Sequence, residues 1–309
     1  MTPVLIPFSL WTAQRPDAAP ESAYLAKTDL PHLRQWLSKA KRTEVHHDPD
    51  ASPYLAALSP PHERALAQTM GWPIVDGLLP WAAQAASRPG HWAFMTLCHW
   101  HVSNGQVTLS DPAHLQIDAE TDEVLFNAMK VFFAEDGITL YRHLPGQWLA
   151  ESALFANLPT ASIDRVVGRN IDPWLVRGDN LLRRLQNEMQ MLLYTHPVND
   201  GRSMTINSFW LHGTGELPTV NAVNTANITV VDTLRRSALE QDFVGWVEAW
   251  QEVDAKVLAT QPSRLVLCGE HEFHVYDLTA PSLLQRLRQF ISPTTLSQAL
   301  CVPPLKEQD

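Results

Sequence analysis

The chain has 309 residues, of which 45% are hydrophobic and 18% are charged. A hydrophobic content of this size can fill a substantial core, which excludes a chain that is disordered over most of its length. The 33 acidic and 23 basic residues give a net charge of −10 at pH 7. This balance argues against a nucleic-acid partner, because phosphate contacts need a basic face.

The cysteines and the apolar runs exclude further classes of protein. Cys98, Cys268 and Cys301 form no Cys-x-x-Cys pair, so we expect neither a disulfide framework nor a structural zinc site. The N-terminal segment MTPVLIPFSLW lacks the basic region of a signal peptide, and no stretch reaches the roughly 18 apolar residues that span a bilayer. We therefore expect no membrane association and a cytoplasmic location.

The N-terminal third predicts a short strand followed by helices. Residues 4–10 (VLIPFSL) are apolar on both faces, which is typical of a buried strand. The spacing of apolar residues predicts a helix over 31–38, and Ser-Pro-Pro-His-Glu from Ser59 predicts the start of another helix. The segment 43–54 (TEVHHDPDASPY) is predicted to be a loop with its two histidines in solvent.

The pattern of apolar and polar residues changes from His91 onward. Alternating apolar and polar residues around Asn104-Gly105 predict a β-hairpin. Residues 118–137 predict an amphipathic helix with acidic residues in its first turn, where they favour the helix dipole. Residues 138–152 predict two strands around a Pro-Gly turn. We expect this block, 91–153, to be an inserted α+β subdomain.

Strands and helices alternate in the remainder of the chain. The predicted helices lie at 180–194 and 243–258, and the predicted strands lie at 206–211, 227–231, 264–268 and 273–278. Alternation of this kind predicts an α/β fold with a doubly wound, mostly parallel sheet, built from residues 1–90 and 154–309.

The polar residues between Leu181 and Gly215 carry the strongest functional signal. They lie on a helix, on the loop THPVNDGR and on the strand that follows. These residues are Asn187, His196, Asn199, Arg202, Asn207, Trp210 and His212. Open α/β sheets bind ligands at the carboxyl ends of their strands, and amide, imidazole and guanidinium groups there suit a phosphate or a carboxylate.

The same residues also have a purely structural interpretation. Asn199 can cap the loop, Asn207 can satisfy buried main-chain groups, and His196 can pack against its neighbours. The residues by themselves leave the structural and the ligand-binding interpretations equally open.

The run LQNEMQMLLYTHPVNDGRSMTINSFWLHGTG closely resembles the RpfE-type regulatory proteins of bacteria. It is also similar to the corresponding stretch of bacterial and archaeal cofactor-independent phosphoglycerate mutases. The matching residues are Asn187, Glu188, His196, Pro197, Asn199, Arg202, Asn207, Trp210, Leu211, Gly213 and Gly215. Because those mutases belong to the alkaline-phosphatase superfamily, the resemblance implies an alkaline-phosphatase-like core at 1–90 and 154–309, with a lid-like subdomain at 91–153.

The chain departs from the mutase pattern where the chemistry is expected. Such mutases use two divalent metals and a Ser or Thr nucleophile, and their first strand ends in Asp-Gly. Here VLIPFSLW has no carboxylate, and Ser9 is its only hydroxyl. The metal-binding Asp-His pair of a late strand corresponds here to Glu270 and His271, which we interpret as a remnant pair of metal ligands.

The resemblance and the departures together imply a non-catalytic or catalytically altered regulatory relative of these mutases. We expect it to bind a small phosphorylated or carboxylated ligand, and no cofactor is firmly predicted. Two alternatives stay open. The chain could be an active phosphoglycerate mutase or phosphatase that needs Mn²⁺ or Zn²⁺, or a regulator that binds a protein partner and no small molecule.

Overall fold

The computed structural model describes residues 2–12, 19–48, 56–176, 180–218, 228–278 and 295–303. In these ranges the helices are α1 (Ala19–Lys27), α2 (Pro31–Leu37), α3 (Pro61–Thr69), α4 (Trp81–Ala86), α5 (Ala119–Glu135), α6 (Ile163–Val166), α7 (Asn180–Tyr194), α8 (Arg235–Leu239), α9 (Phe243–Lys256) and α10 (Leu296–Leu300). The strands are β1 (Val4–Ile6), β2 (Trp11–Thr12), β3 (Ala40–His47), β4 (Trp92–Cys98), β5 (Trp100–Ser103), β6 (Gln106–Leu109), β7 (Thr139–Leu144), β8 (Gln147–Glu151), β9 (Ser208–Gly215), β10 (Thr229–Val230), β11 (Arg264–Cys268), β12 (Glu272–Leu278) and β13 (Cys301–Val302). The mixed α/β class predicted from the sequence is confirmed.

The chain divides into two units, Met1–Trp72 with Val220–Asp309, and Pro73–Thr219. The second unit is larger than the insertion of 91–153 that the sequence predicts. The reason is that β9 pairs with β4 in one sheet, which brings residues from far along the chain into this unit. In the described ranges, no helix combines the length and the apolar character that crossing a membrane requires.

The first unit contains a five-stranded sheet with the order β10-β1-β11-β12-β3. Strand β1 pairs in parallel with both β10 and β11, whereas β12 is antiparallel to both β11 and β3. Four of these five strands therefore run in the same direction. The sheet is mixed, and the doubly wound connectivity stays a prediction.

Helices cover both faces of this sheet. Ile6 and Leu267 lie on the face that packs against helices α2 and α9, where Trp36 and Trp246 belong to the same buried cluster. Leu5 and the alternate residues of β11 point to the opposite face and pack against α3. Burial on both faces explains why β1 is apolar at every position.

Strand β3 replaces the loop that the sequence predicts over 43–54, as far as that segment is described. It pairs with β12 from Ala40 opposite Leu278 to His47 opposite Glu272. Most of its side chains are charged or polar and exposed, so it lacks the apolar alternation that identifies a strand. Charged residues are typical of an edge strand, where they discourage pairing with other chains.

The second unit contains a four-stranded antiparallel sheet with the order β7-β8-β4-β9. One face packs against α5 and α7, whose residues Phe133 and Met189 are fully buried in the same cluster. The buried carboxylate of Asp122 on α5 accepts hydrogen bonds from the Gly146 main-chain N–H at 2.9 Å and from Trp148 Nε1 at 2.8 Å. It therefore ties the helix to the turn between β7 and β8, where the sequence predicts two strands around Pro-Gly.

The predicted hairpin around Asn104-Gly105 is confirmed. These two residues connect β5 to β6 with φ values of 50° and 75°. Two successive residues with positive φ match the twist of the flanking strands, and Asn-Gly tolerates this conformation better than other pairs do.

Strand β9 is longer than predicted and lies in an antiparallel sheet, whereas the sequence predicts a mostly parallel one. The sequence predicts that it ends at Leu211 and that Gly213-Thr-Gly forms a turn at the carboxyl end of a parallel strand, but the strand continues to Gly215 along antiparallel β4. A bulge makes this possible, because two residues of β9 oppose one residue of β4 between Phe94 and Trp92. Gly213 adopts φ +66° there, and a Cβ at this position would lie 3.0 Å from the Phe94 ring.

Candidate functional site

The side chain of Asn199 closes the loop between α7 and β9. Its Nδ2 donates to the carbonyl oxygens of Leu193 at 2.9 Å and Ile206 at 2.8 Å, and its Oδ1 accepts from the Ile206 main-chain N–H at 2.8 Å. The first of these residues ends α7 and the second precedes β9. The amide therefore holds both ends of the loop together, as in the structural interpretation of this residue.

Asn207 performs a similar role at the start of β9. Its Oδ1 accepts from the Trp100 main-chain N–H at 2.7 Å, and its Nδ2 donates to the Trp100 carbonyl at 2.9 Å. The side chain thus pairs with the main chain of β5 as a neighbouring strand would. His196, at the start of the loop, accepts a hydrogen bond at Nδ1 from the Val198 N–H at 3.2 Å.

Arg202, in the same loop, contacts the segment that precedes α5. Its guanidinium donates to the carbonyl oxygen of Leu115. The pKa of Asp118, the N-cap of α5, is lowered mainly by the hydrogen bond from the Thr121 N–H, and the charge of Arg202 adds to this effect. Arg202 therefore already contacts a carbonyl and lies near a carboxylate, which would repel an anionic ligand.

The structure thus brings His196, Asn199 and Arg202 into one loop but uses their polar groups largely within the protein. Asn187, on α7, is exposed to solvent. A ligand-binding role for these residues stays a prediction, and the geometry of Asn199 and Asn207 agrees with the structural interpretation.

Trp210 forms part of a small pocket on the second unit. Its ring is buried, and its Nε1 donates to the Ala161 carbonyl at 2.9 Å. The pocket also contains Trp174 and two residues from the polar face of α7, Arg183 and Gln186. Its volume is about 20 Å³, which is space for little more than one water molecule.

Two adjacent arginines on α7 have different surroundings. Arg184 forms an ion pair with Asp136 and approaches Glu188 at 3.8 Å. Arg183 is exposed and lines the Trp210 pocket, and among the described residues it makes no ion pair or hydrogen bond. Its guanidinium is therefore available to an anion.

His212 lies two residues after Trp210 and is buried, with 7% of its surface exposed. Its Nε2 is 2.9 Å from Thr96 Oγ1 on β4. Burial lowers the pKa of His212 to about 4, although the charge of Asp164 acts in the opposite direction. The imidazole is therefore neutral at physiological pH.

The predicted remnant metal pair lies in the first unit, between β11 and β12. Glu270 Oε1 is 3.7 Å from His271 Nε2, and the His271 Nδ1 is 3.7 Å from the carboxylate of Asp48. Asp48 is fully buried at its side chain and forms an ion pair with Arg64. Across the described ranges, the structure places no group of three or more His, Cys, Asp or Glu side chains so that it could hold a metal ion.

A second network of imidazoles and a carboxylate lies on the adjoining strands. The two oxygens of Glu272 contact His274 Nε2 at 2.8 Å and His47 Nδ1 at 2.8 Å. The pKa of Glu272 is lowered, chiefly by the hydrogen bond from His274. His47 thus contacts a carboxylate from β3 while its side chain stays largely exposed, and Asp48 forms a buried ion pair, whereas the sequence predicts a loop for both.

Ser9, the only hydroxyl of the segment VLIPFSLW, follows β1. Its hydroxyl is fully buried, donates to the Ile6 carbonyl at 2.7 Å and accepts from the Cys268 N–H at 2.7 Å. The hydroxyl therefore ties the ends of β1 and β11 together.

Sequence patterns did not reveal Trp174, Asp48 or Arg64 as neighbours of the candidate residues. Trp174 lies in a short 3₁₀ turn, and the ion pair between Asp48 and Arg64 joins an edge strand to a helix. Neither a short 3₁₀ turn nor an ion pair between separate elements produces a periodic pattern in the sequence, so neither could be predicted from it. The only available signal for Arg183 and Gln186 is their place on the polar face of α7.

No protein-family model matches the chain, and no curated protein gives a significant match. Among solved structures, the chain is similar to the cofactor-independent phosphoglycerate mutase from Thermoplasma acidophilum DSM 1728. The TM-score is 0.30 and the sequence identity is 13%, over 91% of this chain and 90% of that chain.

Replacing Asn199 with Ala removes three hydrogen bonds to the main chain and leaves partly buried main-chain groups of Leu193 and Ile206 without their partner. We expect the free energy of unfolding to fall by about 2–3 kcal/mol in urea denaturation. Asn187→Ala, on the exposed face of α7, is the matched control and should change the stability by less than about 0.5 kcal/mol. Equal effects of the two substitutions would contradict the structural role of Asn199.

Protonation of His212 should destabilise the folded protein in acid. The folded-state pKa is lowered to about 4, whereas the unfolded value is about 6.5. As the pH falls from about 6.5 to about 4, the unfolded state binds the proton first, so stability is lost over this window and amounts to about 3 kcal/mol. His212→Gln should lose less stability over the same window, as measured by urea denaturation at several pH values. An identical pH dependence in the two proteins would show that His212 is not responsible.

Proposed function

We propose that this chain is a regulatory relative of the cofactor-independent phosphoglycerate mutases that has lost the mutase chemistry and binds a small phosphorylated or carboxylated ligand. Arg183, Gln186 and Trp210 are the residues that contact this ligand. The relation to the mutases rests on the motif between Asn187 and Gly215. The binding site rests on the polar and aromatic groups around the Trp210 pocket.

The observation that carries the proposal is that exposed Arg183 lines the same pocket as two tryptophans, Trp174 and Trp210. Small-molecule sites are mostly apolar and aromatic, with a few polar groups that set the orientation of the ligand. Trp174 and Trp210 supply the apolar walls, and the amide of Gln186 adds a donor next to the positive charge. A guanidinium suits carboxylate and phosphate groups because it can donate two parallel hydrogen bonds.

The size of the pocket limits which part of a ligand it holds. With about 20 Å³ available, it admits one end of a small molecule and excludes a buried nucleotide. An anionic group that lies over the rim at Arg183, with one small group of the ligand in the pocket against Trp210, fits this space. A three-carbon acid that carries a phosphate is a suitable probe.

The loss of mutase chemistry is supported at the end of β1. The position has Ser9 in place of a carboxylate, and the Ser9 hydroxyl is bonded to the main chains of Ile6 and Cys268. A serine without an adjacent base or metal is a weak nucleophile.

An active enzyme that needs Mn²⁺ or Zn²⁺ is the second candidate, and the observation that favours it is the position of Asp48 beside His271. Glu270 adds a third group of the correct chemical type, but among the described residues no three such side chains are placed so that they could hold a metal ion together. However, Arg64 pairs with the Asp48 carboxylate and competes with a cation for it. Two equivalents of metal bound per chain, together with turnover of a phosphoglycerate, would replace our proposal with this one.

The arginine pair on α7 provides the test of the proposed site. We expect 3-phosphoglycerate to raise the melting temperature of the wild-type protein, since a ligand at 100 times its Kd stabilises the folded state by about 2.7 kcal/mol. Arg183→Ala should abolish this increase, and Arg184→Ala should retain it. Inorganic phosphate and acetate, tested alone, separate recognition of the two anionic groups.

The variant Arg202→Ala distinguishes ligand binding at the Trp210 pocket from ligand binding at the loop between α7 and β9. This variant should melt at a lower temperature without ligand but keep the ligand-induced increase. If Arg202→Ala abolishes the increase and Arg183→Ala does not, the ligand binds at the loop and our site is wrong. If the wild-type protein is not stabilised by any of these anions, the ligand-binding proposal itself is wrong.

A further inference from the structure

Thr96 and His212 form a buried hydroxyl–imidazole pair on neighbouring strands of the second unit. Thr96 lies on β4, His212 lies on β9, and Thr96 Oγ1 is 2.9 Å from His212 Nε2. This is the distance at which a base can remove a proton from a hydroxyl. Neither residue has a role in the proposed binding of an anion.

The hydrogen bonds around Thr96 indicate which member of this pair donates the proton. Gln147 Nε2 donates to Thr96 Oγ1 at 3.1 Å, which leaves the hydroxyl proton free to point at His212. In the neutral tautomer that carries the ring hydrogen on Nδ1, His212 Nε2 accepts that proton, and this is the tautomer that a base for Thr96 requires. The charge of Asp164 acts on the same imidazole and favours its protonated form. The arrangement therefore contains a hydroxyl, a base and an acidic residue whose charge acts on that base, as many hydroxyl nucleophiles require.

A groove borders Thr96, which is otherwise buried with 6% of its surface exposed. Thr96 and Gln147 line it together with Gln116, Ile117 and Pro145, and its volume is about 340 Å³. It shares no lining residue with the Trp210 pocket. Its lining has amide, hydroxyl and apolar groups and no charged side chain, so an uncharged ligand fits it better than an anion.

We propose that Thr96 is a nucleophile, that His212 is its general base, and that the groove admits uncharged esters with a short acyl chain. In this reaction the Thr96 oxygen forms a bond to the carbonyl carbon of the ester, and the hydroxyl proton passes to His212 Nε2. The bond between the carbonyl carbon and the alcohol oxygen then breaks, and His212 returns the proton to the departing alcohol. The product is an ester of Thr96, and no oxidant or reductant is needed.

The surroundings of His212 set the rate of each step. Burial keeps the imidazole unprotonated and ready to accept a proton, but it also makes the imidazole a weak base. Both steps use this weak base, but an ester with a good leaving group acylates Thr96 more readily than water hydrolyses the resulting alkyl ester, so we expect the acylated threonine to accumulate. An accumulating intermediate can be detected directly by mass.

The experiment is incubation of the full-length protein with p-nitrophenyl acetate, followed by peptide mass spectrometry. We expect an acetyl group on Thr96 in the wild-type protein. Thr96→Val should have no acetyl group on this peptide, and His212→Gln should acylate Thr96 about 100-fold more slowly, as expected for the loss of a general base. Thr214 is an internal control, because it lies on the same strand as His212 and its hydroxyl donates to the Leu158 carbonyl at 2.7 Å.

The wild-type measurement decides the proposal even if a variant does not fold. Absence of acetyl from wild-type Thr96 overturns it, and so does labelling of Thr96 and Thr214 at the same rate. Melting curves and circular dichroism establish that each variant is folded. If folded His212→Gln acylates Thr96 at the wild-type rate, His212 is not the base and the proposal is wrong.

Discussion

The hydrogen bonds from two asparagine side chains to the main chain determine the geometry of the second unit around its candidate sites. Asn199 joins the end of α7 to the residue before β9, and Asn207 pairs with Trp100 at the start of β5. These bonds determine where β9 begins and therefore which of its residues face each side of the sheet. Because each amide uses both its donor and its acceptor, the loop has a single well-satisfied conformation.

Strand β9, which follows this loop, contributes residues to both the Trp210 pocket and the pair formed by Thr96 and His212. Trp210 and His212 lie two positions apart and so face the same side of the sheet, whereas Leu211 packs in the opposite cluster. Trp210 contributes to the pocket beside Arg183, and His212 contacts Thr96 on the neighbouring strand. The bulge at Gly213 lets the strand continue beyond these residues along β4. The position of the loop thus influences both the Trp210 pocket and the hydroxyl–imidazole pair.

Elements that depend on local signals could be predicted from the sequence. The Asn104-Gly105 hairpin and helix α5, with acidic residues in its first turn, are present as expected. Strand β3 and the last residues of β9 could not be predicted, because their pairing partners, β12 and β4, lie far away in the sequence and their own residues are polar or glycine. Pairing with such partners outweighs the local preference for a loop or a turn.

The candidate site could be predicted in part. The sequence motif identified Asn199 and Asn207 as candidate functional residues. It also placed His196 and Arg202 in the same loop as Asn199. It could not decide between binding and structure, because the partners of both asparagines are main-chain groups that no side-chain pattern reveals. Arg183 is in a similar position, since it differs from Arg184 only in what surrounds it in the fold.

The central claim is that an anionic ligand lies against Trp210 beside Arg183. The most direct measurement is an NMR titration of protein labelled with ¹⁵N-tryptophan, in which Trp210→Phe assigns the Trp210 indole signal and 3-phosphoglycerate is the ligand. We predict a saturable shift of the Trp210 Nε1–H signal in the wild-type protein and no such shift in Arg183→Ala. A saturable shift at other tryptophans, with the Trp210 signal unchanged, would contradict this account.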